Sequence, residues 1–456
     1  MEHLLSLALS FALIYPIMAE NQDETFETAA EAVANMRVGW NLGNTLDSHS
    51  GDTAHMWIEW NNPPLPKHYE TAWGQPTTTR ELIHMMKEAG FGAIRVPVTW
   101  YPHMGIQCES VQANGKWERY WFRSKWTGTT VDAQWMARVK EVVDYVIDEG
   151  LYCILNVHHD TGTSNTHWLI ADESNYAKEQ ARFESLWTQI ANEFKDYDEH
   201  LLFEGYNEMT DSYDSWCFAS FGTANGYNSQ VATSAYNAIN NYVQSFVNAV
   251  RATGGRNEQR NLIVCTYAAC SGEGSWSSHL LDPLKQMKLP TDIQPNHLCF
   301  EVHAYPSIKS NLSSAKSSVK TMMSNLATYL GKSAPVIIGE WGTANDGPSG
   351  DDYKDYKANK LNFAQYFVEQ AKAKGHATFY WMGISDGSSR SVPKFSQEDL
   401  KDAIMVGYYG EGGYVADIKE LPNDAQSDIF YDLSGNKVEN PTHGLFIRNG
   451  RKILLK

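Results

Sequence analysis

Eight short apolar runs recur along the chain, and segments with the hydrophobic spacing of helices separate most of them. The runs are MRVGWNL at 36–42, GAIRVPV at 92–98, YCILNV at 152–157, LLFEGY at 201–206, NLIVCT at 261–266, LCFEVHAY at 298–305, PVIIGE at 335–340 and ATFYW at 377–381. Because strands that alternate with helices pair in parallel through right-handed crossovers, eight such units close most naturally into a barrel. We therefore predict the fold class α/β, a (β/α)8 TIM barrel. The alternative is an open doubly wound sheet, but no glycine-rich phosphate turn follows the first run.

Capping signals mark the ends of two predicted helices. Residues 78–81 (TTRE) have the pattern of a capping box before an apolar segment that ends at Gly90, and Asp132 opens a second helix that ends at Gly150. The hydrophobic spacing predicts further helices over 178–196, 231–253, 312–330 and 357–374.

Two segments interrupt the alternation, residues 46–76 and 101–131. Both are long and rich in tryptophan, and they follow the first and second strands. Loops after the strands build the functional face of such a barrel, so we expect these segments to wall a cleft or groove there. The chain carries 15 Trp and 24 Tyr, and flat aromatic faces suit ligands such as sugar rings, although we expect most of these side chains to be packed in the core.

Acidic residues outnumber basic ones, with 54 Asp and Glu against 37 Lys and Arg, for a net charge of −17. That balance repels phosphate backbones and anionic lipid surfaces, so we expect no nucleic-acid partner. No stretch of about 18 apolar residues follows Ala19, so no membrane span is predicted. We expect the protein to be a monomer.

The two ends of the chain differ in composition from the rest. An apolar run from Leu4 to Met18, followed by Ala19, has the outline of a secretory signal peptide, although its start lacks Lys and Arg. Residues 415–426 are predicted to be a linker, and the alternating apolar and polar residues after it predict a small β-hairpin tail. The predicted organisation is a signal peptide at 1–19, the barrel domain at 20–414, and linker plus tail at 415–456.

Chemically active side chains cluster at the carboxyl ends of the predicted strands. They are Asn41, Arg95, His158, His159, Asn207, Glu208, His303, Tyr305, Glu340 and Trp381. Enzymes built on parallel barrels keep their sites at that end, so these side chains are expected to converge on one pocket.

Two glutamates at the ends of different strands, Glu208 and Glu340, fit the pair of carboxylates that hydrolysis of a glycosidic bond requires. Each carboxylate raises the pKa of the other, which favours an acid, and Arg95 is available to keep one of them ionised. Alternation along the fourth strand places Glu204 on the strand and Glu208 beyond it, so Glu204 is expected to be structural. Taken singly, either glutamate is more often a surface or ion-paired carboxylate, but their shared position at strand ends favours catalysis.

The sequence HHD at 158–160, with His303, also resembles a metal site. No HxH or HExxH spacing supports that interpretation, and a satisfied or sugar-binding histidine is commoner. The six cysteines show no CxxC pattern, and Cys153 and Cys299, which lie in strand runs, are predicted to be buried free thiols. We therefore predict no metal site.

Several motifs resemble those of a known enzyme family. They are GWNLGNTLD at 39–47, ETAWGQP at 70–76, GFGAIRVPVTW at 90–100, LNVHHD at 155–160, WTQIANEFKDYDEHLLFEGYNEM at 187–209, VRATGGRN at 250–257 and GEWGT at 339–343. Motifs of this length in this order resemble glycoside hydrolase family 5, and most of all its bacterial endo-β-1,4-glucanases of the cellulase and xyloglucanase branch. The resemblance runs from about Met36 to Trp381.

The resemblance implies a retaining mechanism on a (β/α)8 barrel, with neither a metal ion nor another cofactor. By residue, Glu208 matches the family's proton donor and Glu340 its nucleophile. Asn41 and His159 are also predicted to bind substrate, but on a different ground, because they lie at strand ends. The substrate-binding positions that match the family are Arg95, His158, Asn207, His303, Tyr305 and Trp381.

The expected substrate is therefore a β-glucan or a related plant cell-wall polysaccharide, cut internally at β-1,4 bonds. Xyloglucan, mannan, xylan and mixed-linkage glucan are alternative polymers, and a non-catalytic carbohydrate-binding protein is the alternative of a different class. The chain departs from close members of the family at Met209, where they have proline, and at Met382 and Gly383, where they have an acidic residue and asparagine. The last segment resembles the sorting tails of secreted Bacteroidetes proteins, which implies a bacterial protein that is secreted or held at the cell surface.

Overall fold

The computed structural model of the protein describes residues 25–308, 312–342, 357–414, 430–431, 437–438, 444–448 and 451–455. The predicted signal peptide and linker lie outside these residues and stay predictions. The strands are β1 (Val38–Asn41), β2 (Ala93–Val96), β3 (Cys108–Ala113), β4 (Lys116–Trp121), β5 (Tyr152–Asn156), β6 (Leu201–Glu204), β7 (Leu262–Cys270), β8 (Leu298–Ala304), β9 (Val336–Trp341), β10 (Ala377–Trp381), β11 (Phe430–Tyr431), β12 (Lys437–Val438), β13 (Gly444–Arg448) and β14 (Arg451–Leu455).

Eight of these strands close into a parallel barrel in the order β1, β2, β5, β6, β7, β8, β9, β10, and β10 pairs with β1. Each of the eight predicted strand runs overlaps one barrel strand, although β7 extends four residues and β9 one residue beyond its run. The predicted (β/α)8 barrel is therefore confirmed.

The helices lie largely where the hydrophobic spacing predicts them. The predicted start of one helix at Asp132 is confirmed, because its carboxylate accepts hydrogen bonds from the amides of Gln134 and Trp135. The helices are α1 (Ala29–Met36), α2 (Pro66–Glu70), α3 (Arg80–Glu88), α4 (Ala133–Asp148), α5 (Glu173–Glu193), α6 (Ser229–Arg251), α7 (Asp282–Gln286), α8 (Leu312–Tyr329), α9 (Lys357–Lys372), α10 (Ser388–Ser391) and α11 (Glu398–Tyr409).

The predicted capping box at 78–81 is wrong. Helix α3 begins one residue later than that pattern requires, and the side chain of its N-cap residue, Thr79, caps no backbone amide. The amide of Thr78 instead donates to the buried carboxylate of Glu70 at 2.6 Å, so a side chain from α2 takes the place predicted for Glu81.

Side chains inside the barrel form an apolar layer with a polar layer above it, towards the carboxyl ends of the strands. This follows from the two-residue period of a strand, because an apolar side chain and the polar one two residues later point to the same face. Helix α1 packs its buried face against the apolar layer. Four such pairs are Ala93 and Arg95, Ile154 and Asn156, Leu202 and Glu204, and Cys299 and Glu301.

The two tryptophan-rich segments contact each other at the functional face. Segment 101–131, which was expected to be a loop, contains the antiparallel hairpin β3–β4. Backbone hydrogen bonds join this hairpin to segment 46–76, from the amide of Met56 to the carbonyl of Arg119 and from the amide of Trp121 to the carbonyl of Thr53, both at 2.8 Å. The two segments therefore form one continuous wall.

The tail is larger than the predicted hairpin. Its strands pair antiparallel in the order β12, β11, β13, β14, and the pair β13–β14 corresponds to the predicted hairpin. All six cysteines are free, and Cys153 and Cys299 are buried as predicted. In the part of the chain that the structure describes, no helix has both the length and the apolar character needed to cross a membrane.

Candidate active site

The guanidinium of Arg95 lies at the centre of the polar layer and is fully buried. Its Nε and Nη2 donate to the two carboxylate oxygens of Glu204 at 2.6 and 2.7 Å, and its Nη1 donates to Glu340 at 2.7 Å. A third carboxylate, that of Glu301, lies 3.4 Å from Nε. Burial raises the pKa of the Glu204 carboxyl to about 7, and the contact with Arg95 opposes that rise. Glu204 is thus a buried partner of Arg95, as predicted for a structural carboxylate.

Two asparagines hold the guanidinium in place. The side-chain oxygen of Asn41 accepts from Nη1 of Arg95 at 3.0 Å, and that of Asn207 accepts from Nη2 at 2.8 Å. The amide nitrogen of Asn41 donates to the backbone carbonyls of Gly339 and Phe379, so the fully buried Asn41 supports Arg95 from below. Its predicted role in substrate binding stays a prediction.

Glu340, the residue before the last of β9, lies among hydrogen-bond donors. Besides Arg95, the hydroxyl of Tyr305 donates to its second oxygen at 2.6 Å, and Nε2 of His158 lies 3.8 Å from the first. These two donors at bonding distance fix the orientation of the Glu340 carboxyl group.

Glu208 follows β6 and has a different environment. One of its oxygens lies 2.8 Å from Nδ1 of His303, and its side chain is 22% exposed, so it reaches the cleft. Burial raises the pKa of Glu208, and the carboxylate of Glu340 adds to that rise, whereas His303 opposes it. Carboxyl oxygens of Glu208 and Glu340 and a ring nitrogen of His303 all lie within 4.8 Å of one another. The two glutamates therefore differ in environment, because Arg95 and Tyr305 donate to Glu340, whereas Glu208 reaches the cleft and has a raised pKa.

His303 lies between two carboxylates. Its Nδ1 faces Glu208, and its Nε2 lies 3.3 Å from the fully buried carboxylate of Glu301. Burial lowers the pKa of His303, but Glu340, Glu208 and Glu301 outweigh that effect and raise it to about 10. Sequence reasoning missed Glu301; the available signal was its position two residues before His303, which places both on one face of β8.

The remaining predicted residues lie further up the cleft. The ring of Trp381 is parallel to that of His158, with centroids 5.8 Å apart, and it lies so close to Gly43 that a Cβ there would be 2.8 Å from the indole. The ring of His159 neighbours those of His49 and Trp73, in the wall formed by segment 46–76. His159 therefore lies outside the group that contacts the two glutamates.

Two of the departures from the family pattern, Met209 and Met382, accept hydrogen bonds through their backbone carbonyls. Met209, next to Glu208, is fully buried, and its carbonyl accepts a hydrogen bond from the amide of Ala268. The carbonyl of Met382 accepts from the indole of Trp40 at 3.2 Å. Met209 thus acts through packing beneath the site.

The residues that resemble a metal site in the sequence, at 158–160 and His303, do not form one group of ligands. Asp160 accepts hydrogen bonds from the amides of Trp100 and Tyr101 and from the indole of Trp168. His158 and His159 instead approach Asp47, whose carboxylate accepts two backbone amides. Glu208, His303 and Glu340 could also offer ligand atoms, but the guanidinium beside Glu340 already supplies positive charge there. These donor sets do not favour a resident cation.

A comparison with family models shows to which family the chain belongs. The model described as cellulase (glycosyl hydrolase family 5) matches residues 57–387. The chain belongs to glycoside hydrolase family 5. Endoglucanase A of Clostridium longisporum is 32% identical over 414 residues, which cover 85% of this chain and 68% of that protein. The prediction of a glycoside hydrolase of the endoglucanase type is confirmed.

Solved structures of family 5 enzymes resemble the chain closely. A GH5-4 broad specificity endoglucanase from an uncultured bacterium is 50% identical, with a TM-score of 0.76 over 86% of this chain and 98% of that one. A family 5 enzyme from Prevotella bryantii B14, solved in complex with a xyloglucan tetradecasaccharide, is 38% identical, with a TM-score of 0.68 over 84% of this chain and 99% of that one.

Proposed function

We propose that the protein cuts internal β-1,4 bonds of glucan chains, xyloglucan included, by a retaining double displacement in which Glu340 is the nucleophile and Glu208 the acid and base. The observation that carries this proposal is the separation of the two carboxyl groups, whose nearest oxygens lie within 4.8 Å. Retaining enzymes need carboxyl groups about 5–5.5 Å apart, whereas inverting enzymes need about 6.5–9.5 Å to admit a water molecule.

In the first step the Glu340 carboxylate attacks the anomeric carbon of the sugar on one side of the bond. The bond from that carbon to the bridging oxygen breaks, and the proton of Glu208 passes to that oxygen, which leaves as the hydroxyl of the departing chain. The raised pKa of Glu208 favours the protonated carboxyl group, which is the form that donates this proton. The product is an ester between the sugar and Glu340.

In the second step Glu208, now ionised, takes a proton from a water molecule, which attacks the same carbon. The ester bond breaks, and Glu340 recovers its carboxylate, to which Arg95 and Tyr305 again donate. Two inversions at one carbon retain its configuration. Because Arg95 occupies the side-chain oxygen of Asn207, the amide nitrogen is the atom left to donate to a sugar hydroxyl.

Glucan and xyloglucan are favoured as polymers because two of the similar proteins described above are endoglucanases and a third, a family 5 enzyme, was solved with a xyloglucan oligosaccharide. Mannan, xylan and mixed-linkage glucan are the alternatives. Rates of reducing-sugar release from a panel of purified polysaccharides rank them. We further propose that the protein acts outside the cell, because residues 1–19 have the outline of a secretory signal peptide. Recovery of the protein from the culture medium tests this proposal.

The test of the mechanism is the configuration of the first sugar released, followed by proton NMR. We expect the β configuration, and an α product would refute the double displacement. We expect Glu340→Ala to lower kcat by about a thousandfold or more. Glu141→Ala, a change on the outer surface of α4, serves as the matched control with unchanged activity. If wild-type protein binds these polymers and cleaves none of them, the non-catalytic alternative holds.

A further inference from the structure

Exposed aromatic rings form a cluster on the loops that follow β6 and β7. The first loop, residues 210–228, begins two residues after Glu208, and we call it the aromatic loop. The second, residues 271–281, follows β7. Together they carry the aromatic platform, defined as Phe218, Phe221, Tyr227, Trp276 and His279. Within it, the centroids of Phe221 and Trp276 lie 5.3 Å apart, those of Phe218 and Trp276 lie 5.7 Å apart, and Tyr227 stacks on His279 at 3.7 Å.

The platform is exposed although its members contact one another. Trp276 is 60% exposed, Phe221 48% and Tyr227 43%, whereas Phe218 is buried beneath them. A contiguous apolar patch of this kind on a soluble protein marks a binding surface more often than single exposed rings do. Both loops follow barrel strands, so the platform lies at the same end of the barrel as Glu208 and Glu340.

A buried carboxylate organises the aromatic loop. One oxygen of Asp211 accepts from the amides of Tyr213 and Ser215, and the other accepts from the amide of Ser220. The hydroxyl of Tyr267, from β7, accepts from the amide of Asp211 and donates to the carbonyl of Ser215. These bonds attach the loop to the barrel and leave its aromatic side chains on a rigid support.

The backbone of the aromatic loop also carries strain. Asp214, Cys217 and Ser220 have φ angles of 51°, 71° and 67°, in the left-handed region that non-glycine residues rarely adopt. Strain of this kind costs of order 1 kcal/mol or more for each residue and concentrates at functional sites. Three such residues within seven positions indicate that the loop is held in its shape for a purpose other than stability.

The chemistry of the platform indicates a neutral ligand with apolar faces. The acidic residues of the two loops are the buried Asp211, the exposed Asp214 and the half-buried Glu273, and neither loop contains Lys or Arg. Together with the net charge of −17 of the whole protein, these residues repel anions. Rings of β-linked glucose carry axial C–H groups on both faces and no charge, and aromatic faces suit them. Both loops follow barrel strands, as Glu208 does, so a polysaccharide chain that extends across this face from the two glutamates can meet the platform.

We propose that the aromatic platform is an additional binding surface for a neutral β-linked glucan chain, beyond the positions next to the bond that is cut. The proposal rests on the proposed glucan hydrolysis and extends it. Sugar units distant from the cleaved bond stack on the rings of Trp276 and Phe221. A long polymer would use the platform, and a short substrate would not reach it.

The test compares Trp276→Ala and Phe221→Ala with wild type on a soluble xyloglucan and on a nitrophenyl β-cellobioside. We expect each variant to raise KM for the polymer about fivefold and to leave kcat/KM for the cellobioside unchanged, because stacking contributes only to the long substrate. Tyr329→Ala is the matched control, since Tyr329 is 37% exposed on α8 and lies outside the platform. It should change neither value.

Native gels that contain xyloglucan separate this proposal from the proposed function, because retardation needs binding and no catalysis. We expect both platform variants to be retarded less than wild type and the Tyr329 variant to be retarded equally. Retardation and KM equal to wild type in both platform variants would overturn the proposal. Equal losses on polymer and cellobioside would also overturn it, since they would mean that the rings support the catalytic centre. Wild type that cleaves neither substrate but shows the expected retardation pattern would refute the hydrolysis and leave the platform supported.

Discussion

Arg95 balances the negative charge of the polar layer. One guanidinium contacts the carboxylates of Glu204, Glu301 and Glu340, and each of these would be a buried charge without it. Leaving one partner of a buried ion pair uncompensated costs about 3–5 kcal/mol. Removal of Arg95 would therefore destabilise the barrel and also take a donor away from Glu340, so stability and chemistry are not separable at this residue.

Glu301→Gln tests the link between the polar layer and the acid. We expect the change to lower the pKa of His303 from about 10 by about one unit or more, because the charge facing Nε2 is lost while the burial that lowers this pKa remains. Glu208 and Glu340 still face Nδ1 and still raise this pKa, so the shift stops short of the ordinary value of about 6.5. NMR titration of the His303 ring nitrogens measures it.

Glu59→Gln is the matched control for that titration. Glu59 is also buried and hydrogen-bonded, to Ser50 at 2.5 Å and Tyr69 at 3.2 Å, but it does not contact His303. We expect it to leave the His303 titration where it is in wild type. If His303 had the same pKa in the Glu301 variant as in wild type, the role given to Glu301 would be contradicted.

The sequence indicated that the carboxyl groups of Glu208 and Glu340 come together, but not which residues support them. Their meeting could be predicted because Glu208 follows one strand run and Glu340 ends another, and parallel strands bring their carboxyl ends together. Glu301 lies inside an apolar run, where its contacts depend on which strands become neighbours. That His303 places its Nε2 towards the barrel interior follows only from closure of the barrel, which no local pattern contains.

Helix ends show the same contrast between features that the sequence predicts and features that it does not. The cap at Asp132 was predictable because its partners are the amides two and three residues later, at 2.9 and 3.0 Å. The cap predicted at 78–81 failed because the amide of Thr78 bonds to Glu70, a side chain of another helix. Local bonds can be inferred from sequence, whereas competing remote partners cannot.

The difference between these two caps is measurable. We expect Asp132→Ala to lower the free energy of unfolding by about 1 kcal/mol, because two amides of the first turn of α4 lose their acceptor. We expect Thr79→Ala to change it by less than about 0.5 kcal/mol, because the Thr79 side chain caps no amide of α3. Urea denaturation of both variants measures the two values. Equal losses would mean that Thr79 caps α3 after all.

At the scale of the whole molecule, the barrel followed from the count and alternation of strand runs. Local irregularities did not follow, such as the register shifts in the β7–β8 and β8–β9 pairs, the hairpin β3–β4, and the enlargement of the tail to a sheet. Each of these depends on hydrogen bonds between residues that pair across strands. Apolar alternation fixes which face is buried, but it leaves such pairing open over short segments.

Truncation tests the boundary predicted between residues 414 and 415. Ending the chain after Tyr414 keeps α11 and the contact of Tyr414 with Gly90, where an added Cβ would lie 2.3 Å from the tyrosine ring. We expect this variant to keep the wild-type melting temperature within about 2 °C and the wild-type kcat/KM on a soluble β-glucan. A fall of more than about 5 °C would place tail residues within the cooperative unit of the barrel, because such a shift corresponds to at least about 1 kcal/mol.

Ending the chain after Gln397 is the matched comparison, because it removes α11 as well. That helix buries Leu400, Ile404 and Met405 against the core. Burial of each such side chain contributes roughly 1.5–3 kcal/mol, so the loss approaches the total stability of about 5–15 kcal/mol that a domain has. We expect this shorter chain to lose cooperative unfolding and activity together. If it melted like wild type, α11 would lie outside the folding unit and the barrel domain would end earlier than residue 414.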